Sequence, residues 1–99
     1  MIDVPDKDLN TVKEIPGKYV PGMEVRVFGS RVNGCSKSYS DLDLAIVDKE
    51  EIPRPILIQL KDAFQESNLP FRVDIIEWNK ITPEFQNIIN QNYQLLKPN

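Results

Sequence analysis

The sequence predicts an α+β domain in which helices flank one mixed sheet of about three to four strands. Three observations lead there. Apolar residues recur at helical spacing over 6–15, over 56–66 and from Thr82 onward. Short runs rich in β-branched and aromatic residues stand between them, at 24–28, 41–46 and 71–78. The breakers Pro16-Gly17, Pro21-Gly22 and Gly29-Ser30 separate the early elements.

In the first stretch Leu9, Val12 and Ile15 fall three apart, as in a short amphipathic helix, and Pro16-Gly17 is expected to end it. Tyr19 and Val20 then belong to an irregular or briefly helical segment packed on the core, before Pro21-Gly22 turns the chain into the first strand. A helical turn is expected over 30–35, and residues 37–40 return the chain to the sheet. In the second strand Leu42, Leu44 and Ile46 alternate with Asp41, Asp43 and Ala45, so one face is greasy and the other carries the acids. Residues 48–55 form an acidic, proline-bearing connection. Ile56, Leu57, Leu60, Ala63 and Phe64 mark an amphipathic helix that covers the sheet, and residues 67–70 end it. The third strand, 71–78, is interrupted by Asp74 between Val73 and Ile75. Thr82-Pro83-Glu84 opens the last helix with an N-cap, a proline at the first helical position and an acid in the first turn. Phe85, Ile88 and Ile89 are its expected buried stripe. The apolar tail beyond it, with Tyr93, Leu95 and Leu96, either packs on the domain's own sheet or offers a partner surface.

At 99 residues the chain reads as one domain, 1–99: a helix and turn (1–22), a sheet with its covering helix (24–78), and a helix and tail (82–99). That length leaves no room for a separate substrate-binding domain. Hydrophobic residues at 40% and charged residues at 27% are ordinary globular values and argue against disorder. A formal net charge of −3 gives no basic excess for a polynucleotide backbone, so direct nucleic-acid binding is disfavoured. Cys35 is the one cysteine and histidine is absent, so neither an internal disulfide nor a Cys/His zinc site can form. Acid–base chemistry therefore falls to carboxylates. The opening MIDVPDKDLN lacks a signal-peptide core and no apolar run approaches a membrane span, so a cytoplasmic protein is expected.

The chemistry concentrates in 28–47, FGSRVNGCSKSYSDLDLAIV. Asp41 and Asp43 sit at i and i+2 of a strand, on one face and roughly 6–7 Å apart, and repel unless a cation lies between them. Carboxylate oxygens suit a hard divalent ion, and Mg²⁺ takes one or two of them while keeping positions for phosphate oxygens and water. Gly29 lets the backbone approach a ligand, and the amides of the following turn, with the Ser30 hydroxyl, can donate to a phosphate. The two halves together suit a nucleoside triphosphate held with Mg²⁺. The plainer reading is a polar hairpin with solvated acids. Asp74 repeats the problem, because an unpaired carboxylate buried in an apolar strand costs several kcal/mol or protonates. Sharing a metal with Asp41 and Asp43 from an adjacent strand answers it, and a surface position on an edge strand is the other answer.

The pattern GSRxxGxxxxxSDxDL, met at Gly29, Ser30, Arg31, Gly34, Ser40, Asp41, Asp43 and Leu44, resembles the signature of the minimal nucleotidyltransferase (MNT) family of the polymerase β-like superfamily. The resemblance runs from about the first strand through the third and its following helix. It implies a small polymerase β-like palm with Asp41, Asp43 and Asp74 as catalytic metal ligands, Asp74 serving as third ligand or as general base. It implies phosphate contacts from Gly29 and Ser30, while Arg31 either adds positive charge there or lies on a helix surface. Two Mg²⁺ ions about 4 Å apart would serve the carboxylates, with ATP as substrate. The resemblance further implies transfer of AMP to a tyrosine of a HEPN-domain toxin, with this chain as its antitoxin in a hetero-oligomer. Transfer to a small hydroxylated molecule is one alternative, although such relatives usually carry an additional helical domain. A non-catalytic binding subunit is the other, against which the presence of all three acids argues.

Overall fold

A computed structural model of the chain describes residues 2–48 and 50–96. Its elements in order are α1 (Asp6–Tyr19), β1 (Glu24–Phe28), α2 (Ser30–Asn33), β2 (Leu42–Val47), α3 (Arg54–Gln65), β3 (Val73–Glu77), a 3₁₀ turn (Trp78–Lys80), α4 (Pro83–Gln91) and β4 (Gln94–Leu95). Lys49 of the acidic connection and residues 97–99 of the expected tail lie outside the described residues. Among the described residues no helix is long and apolar enough to cross a membrane.

The strands form one mixed sheet in the order β3-β2-β1-β4. β1 runs antiparallel to both β2 and β4, and β2 runs parallel to β3. A parallel pair needs a crossover, and α3 supplies it between β2 and β3. Val25 and Val27 of β1 and Leu42, Leu44 and Ile46 of β2 share one buried cluster with Val12 of α1 and Leu57, Leu60 and Phe64 of α3. α1 and α3 therefore cover the greasy face side by side.

The opposite face is partly covered as well. Phe28, whose partner across the strands is Asp43, meets the ring of Phe85 edge-on at 5.8 Å between centroids. Arg26 donates to Oδ1 of Asn90 at 2.8 Å, and its guanidinium lies over the rings of Trp78 and Tyr93. Ala45, expected on a working face beside the acids, is fully buried. α4 thus closes the sheet toward Arg26 and Ala45, while the end carrying Asp41 and Asp74 keeps partial solvent access.

Four expectations need correcting. Pro16 does not end the first helix, which continues to Tyr19. Its missing N–H removes one helical hydrogen bond, but Val12, Pro16 and Val20 are buried at four-residue spacing, and Val20 N–H donates to the Pro16 carbonyl at 2.8 Å. The turn after Gly29 is shorter than predicted, because Gly34 with φ 85° ends it in the left-handed region. The third strand is also shorter: Trp78 opens the 3₁₀ turn, and Phe71 precedes the strand. Ile88 is 64% exposed, since α4 buries Ile89 and half-buries Phe85 and turns Ile88 away from the sheet. The cap of α4 forms as expected, with Phe85 N–H donating to Thr82 Oγ1. The tail packs on the domain's own sheet: Gln94 and Leu95 pair with β1, and Leu96, buried, donates from its N–H to the Val25 carbonyl.

Leu60, wholly buried between the helices and the sheet, and exposed Ile88 should respond oppositely to truncation. Leu60→Ala is expected to lower stability by about 2–5 kcal/mol in urea denaturation, and Ile88→Ser to change it by less than about 0.5 kcal/mol. A large loss at Ile88 would contradict the orientation of α4.

Candidate active site

The site begins where β1 ends. Gly29 follows Phe28 with φ 82° and ψ −156°, a backbone conformation that side chains disfavour. A Cβ placed there would overlap Oδ2 of Asp43 and come within 3.4 Å of its Cγ. Glycine is thus required twice over, for the turn and for the approach of the backbone to a carboxylate. The Gly29 carbonyl accepts the N–H groups of Val32 and Asn33 at 3.0 and 3.1 Å, starting α2. The structure therefore brings Gly29 and Ser30 beside Asp43.

The third acid arrives from far along the chain. Asp74 is the direct partner of Asp43 in the parallel β2–β3 pair, about 4.8 Å away across the strands and on the same face. Asp41 precedes Asp43 by two residues and completes the group. Among the described residues no three acids close into a ready-made cation cage, and two of these are instead joined by an arginine. Arg72 donates from Nη2 to Oδ2 of Asp41 at 3.0 Å and to Oδ2 of Asp74 at 3.5 Å. The sequence reading missed this residue. Its signal was the spacing Arg72-x-Asp74, which in the strand expected over 71–78 puts both side chains on one face; Arg72 in fact stands just ahead of β3.

The electrostatics follow from this crowding. Burial raises the pKa of Asp43 above its ordinary value, the neighbouring charges of Asp74 and then Asp41 raise it further, and Arg72 partly offsets them. Arg72 is held still more firmly protonated, by Asp41 first and Asp74 next. Three oxygen-donor side chains gathered beside one turn, without a nitrogen or sulfur ligand among them, are chemically suited to a hard divalent cation.

Arg31 departs from its expected roles. It is buried, so it is neither a helix-surface residue nor free to meet a phosphate. Nε donates to the Ser40 carbonyl at 2.9 Å, Nη1 to that of Asp3 at 2.8 Å, and Nη2 to those of Ser38 at 3.1 Å and Lys37 at 3.4 Å. The Phe71 ring packs against the guanidinium at 4.3 Å. The fork turns an otherwise irregular loop into a fixed path from α2 back to Asp41. Arg31→Lys, which cannot reproduce it, is expected to cost about 1.5–3 kcal/mol of stability. Unchanged stability with weakened nucleotide binding would restore the phosphate role.

The strain at Asp43 has a defined sign. With its pKa raised above 3.8 in the folded state, its contribution to stability is full below that value and is lost as pH rises through the folded value. Asp43→Asn should therefore raise the urea midpoint at pH 7 in metal-free buffer and give no comparable gain at pH 3. Equal gains at both pH values would reject charge as the cause.

Comparison with known proteins places the family. Residues 10–99 match the family described as Polymerase beta, Nucleotidyltransferase. The chain is 42% identical over 96 residues to a probable protein adenylyltransferase MntA of Haemophilus influenzae, covering 97% of this chain and 84% of that one. Among solved structures, a toxin–antitoxin with AMP-PNP superposes with a TM-score of 0.74 at 17% identity, over 93% of this chain and 74% of that one. The spectinomycin adenyltransferase AAD(9) of Enterococcus faecialis, with ATP and spectinomycin, gives a TM-score of 0.63 at 19% identity, over 94% of this chain and 56% of that one. At those identities the structural likeness speaks for the fold alone. The sequence matches show that the chain is a nucleotidyltransferase of the polymerase β family, on its minimal, MntA-like branch.

Proposed function

We propose that the protein is a cytoplasmic, Mg²⁺-dependent adenylyltransferase that moves AMP from ATP to a tyrosine hydroxyl of a HEPN-type toxin and thereby acts as its antitoxin. The observation that carries this reading is the convergence of Asp41, Asp43 and Asp74 beside the Gly29-Ser30 turn. The 42%-identical relative named as a probable protein adenylyltransferase supports the choice of group transferred and of a protein acceptor. The toxin–antitoxin structures that share the fold support the setting.

In this reading Asp41 and Asp43 hold the metal, and Asp74 completes the set or takes the acceptor proton. Bound Mg²⁺, as two ions in the common arrangement, would offset triphosphate charge and lower the pKa of the attacking hydroxyl. The turn at Gly29 and Ser30 orients the outgoing phosphates with backbone and hydroxyl donors. The acceptor oxygen attacks the α-phosphorus, the bond to the β-phosphate bridging oxygen breaks, pyrophosphate leaves, and the proton passes to a carboxylate or to water. Holding these groups in line is most of what the protein contributes. Transfer to a small molecule is the weaker reading, because the relative matched over 84% of its own length is named as a protein adenylyltransferase.

The test is intact mass spectrometry of whatever protein is encoded beside this one, after incubation with this chain, ATP and Mg²⁺. The expected result is a gain of one or more AMP masses, reduced by about 10²–10³-fold or more in rate with Asp41→Ala/Asp43→Ala. A stable complex with no mass change would replace the enzyme reading with that of a binding antitoxin.

A further inference from the structure

The acid cluster already holds one cation, and it belongs to the chain. A single nitrogen, Nη2 of Arg72, is shared by one oxygen of Asp41 and one of Asp74, at 3.0 and 3.5 Å. We propose that Arg72 is a built-in counter-ion that occupies the cation position between Asp41 and Asp74 in the nucleotide-free protein and yields it to a divalent ion that arrives with its nucleotide. The inference rests on the nucleotidyltransferase reading of these three acids.

Geometry makes the two occupants exclusive. A Mg²⁺ ion must come within about 2.1 Å of its oxygens, closer than the 3.0 and 3.5 Å at which Nη2 stands from the same two atoms, so an ion bound by this oxygen pair competes with Nη2 for them. Charge makes them exclusive too, since a guanidinium left beside a divalent ion would repel it strongly at this range. The arginine is built to leave. Its side chain is 73% exposed, while its backbone is fixed by the hydrogen bond from Leu42 N–H to the Arg72 carbonyl at 2.9 Å. The side chain can therefore swing out without disturbing the strand.

What it meets on leaving decides when it leaves. A lone divalent ion takes two carboxylates from the guanidinium and gives it nothing in return. A metal–triphosphate complex brings anionic oxygens that a guanidinium binds well, often in bidentate fashion. Displacement is therefore favoured by the complex and opposed for the ion alone, which couples metal binding to nucleotide binding through one side chain. The same device keeps the three carboxylates partly neutralised before substrate arrives.

The coupling predicts effects of opposite sign for one substitution. Mn²⁺ serves as the probe, followed by electron paramagnetic resonance with no nucleotide, and binding of the Mn²⁺ complex of the non-hydrolysable analogue AMP-PNP is followed by calorimetry. Arg72→Gln is expected to bind Mn²⁺ alone about tenfold more tightly than the unmodified protein, yet to bind Mn²⁺–AMP-PNP more weakly. Arg72→Lys, which keeps the charge and loses the fork, should fall between on both measures. Thermal melts of all three proteins check that the exposed substitution leaves the fold intact. Changes of the same sign on both measures, or no change on either, would overturn the counter-ion role and leave the nucleotidyltransferase reading standing. Failure of every form to bind either probe at millimolar concentration would overturn both.

Discussion

Three carboxylates gathered where two neighbouring strands begin are the constraint around which this domain is built. Their repulsion has to be met by structure elsewhere, and the reverse side of the same strands meets it. Leu42 and Leu44, which flank Asp43, are essentially inaccessible to solvent. A slip of one residue in β2 would turn these leucines to the open face and the acids into the core. The register that presents Asp41 and Asp43 is therefore held by apolar burial behind them, and nothing in the acids' own interactions would keep it. Parallel pairing carries the same certainty to β3, where Val73 and Ile75 pack against the cluster and Asp74 is left facing Asp43.

Arginine is used in three physical settings within this small molecule. Arg31 is buried with its fork filled by backbone carbonyls, so it acts as a fixed tie between the N-terminal segment, the loop and Phe71. Arg26 is half-buried over the rings of Trp78 and Tyr93 and joins the sheet to α4. Arg72 is exposed, and among the described residues its side chain is held through ion pairs to Asp41 and Asp74, which are weak in solvent. Burial separates a structural arginine from one that can exchange partners. The shared charge says nothing about which is which.

That distinction also marks how far the sequence could be read. Period-2 alternation in 41–46 and period-3.6 patterning in 56–66 follow directly from burial on one side, and both elements formed there with shifted ends: β2 starts at Leu42, after Asp41, and α3 starts at Arg54, inside the expected connection. Asp41, Asp43, Asp74 and Gly29 were legible because each breaks a local rule: charge in an apolar strand, or a backbone conformation few residues adopt. Arg31 and Arg72 break none. An arginine in a short helical turn that serves four carbonyls looks like any surface arginine until the loop beyond it is folded around it. The helical continuation through Pro16 was hidden for a related reason, since a local breaker was outvoted by the burial of Val12, Pro16 and Val20 on one stripe. The exposure of Ile88 depended on how α4 meets the sheet, which spacing alone does not fix.

The topology also bears on how an acceptor could reach the acids. α4 covers the acid-bearing face near β1, with Phe85 against Phe28 and Asn90 against Arg26. On the other side Asp74 belongs to β3, the edge of the sheet, and among the described residues no strand stands beyond it. A nucleotide lying along the Gly29 turn would have its phosphates near Asp43, leaving the β3 side for the attacking hydroxyl. In-line displacement needs the nucleophile and the leaving group on opposite sides of phosphorus, so an acceptor entering over β3 would approach from the side away from the Gly29 turn. Arg72 stands on that same open edge, so a guanidinium that leaves the acids would move in the space between the phosphates and the incoming acceptor.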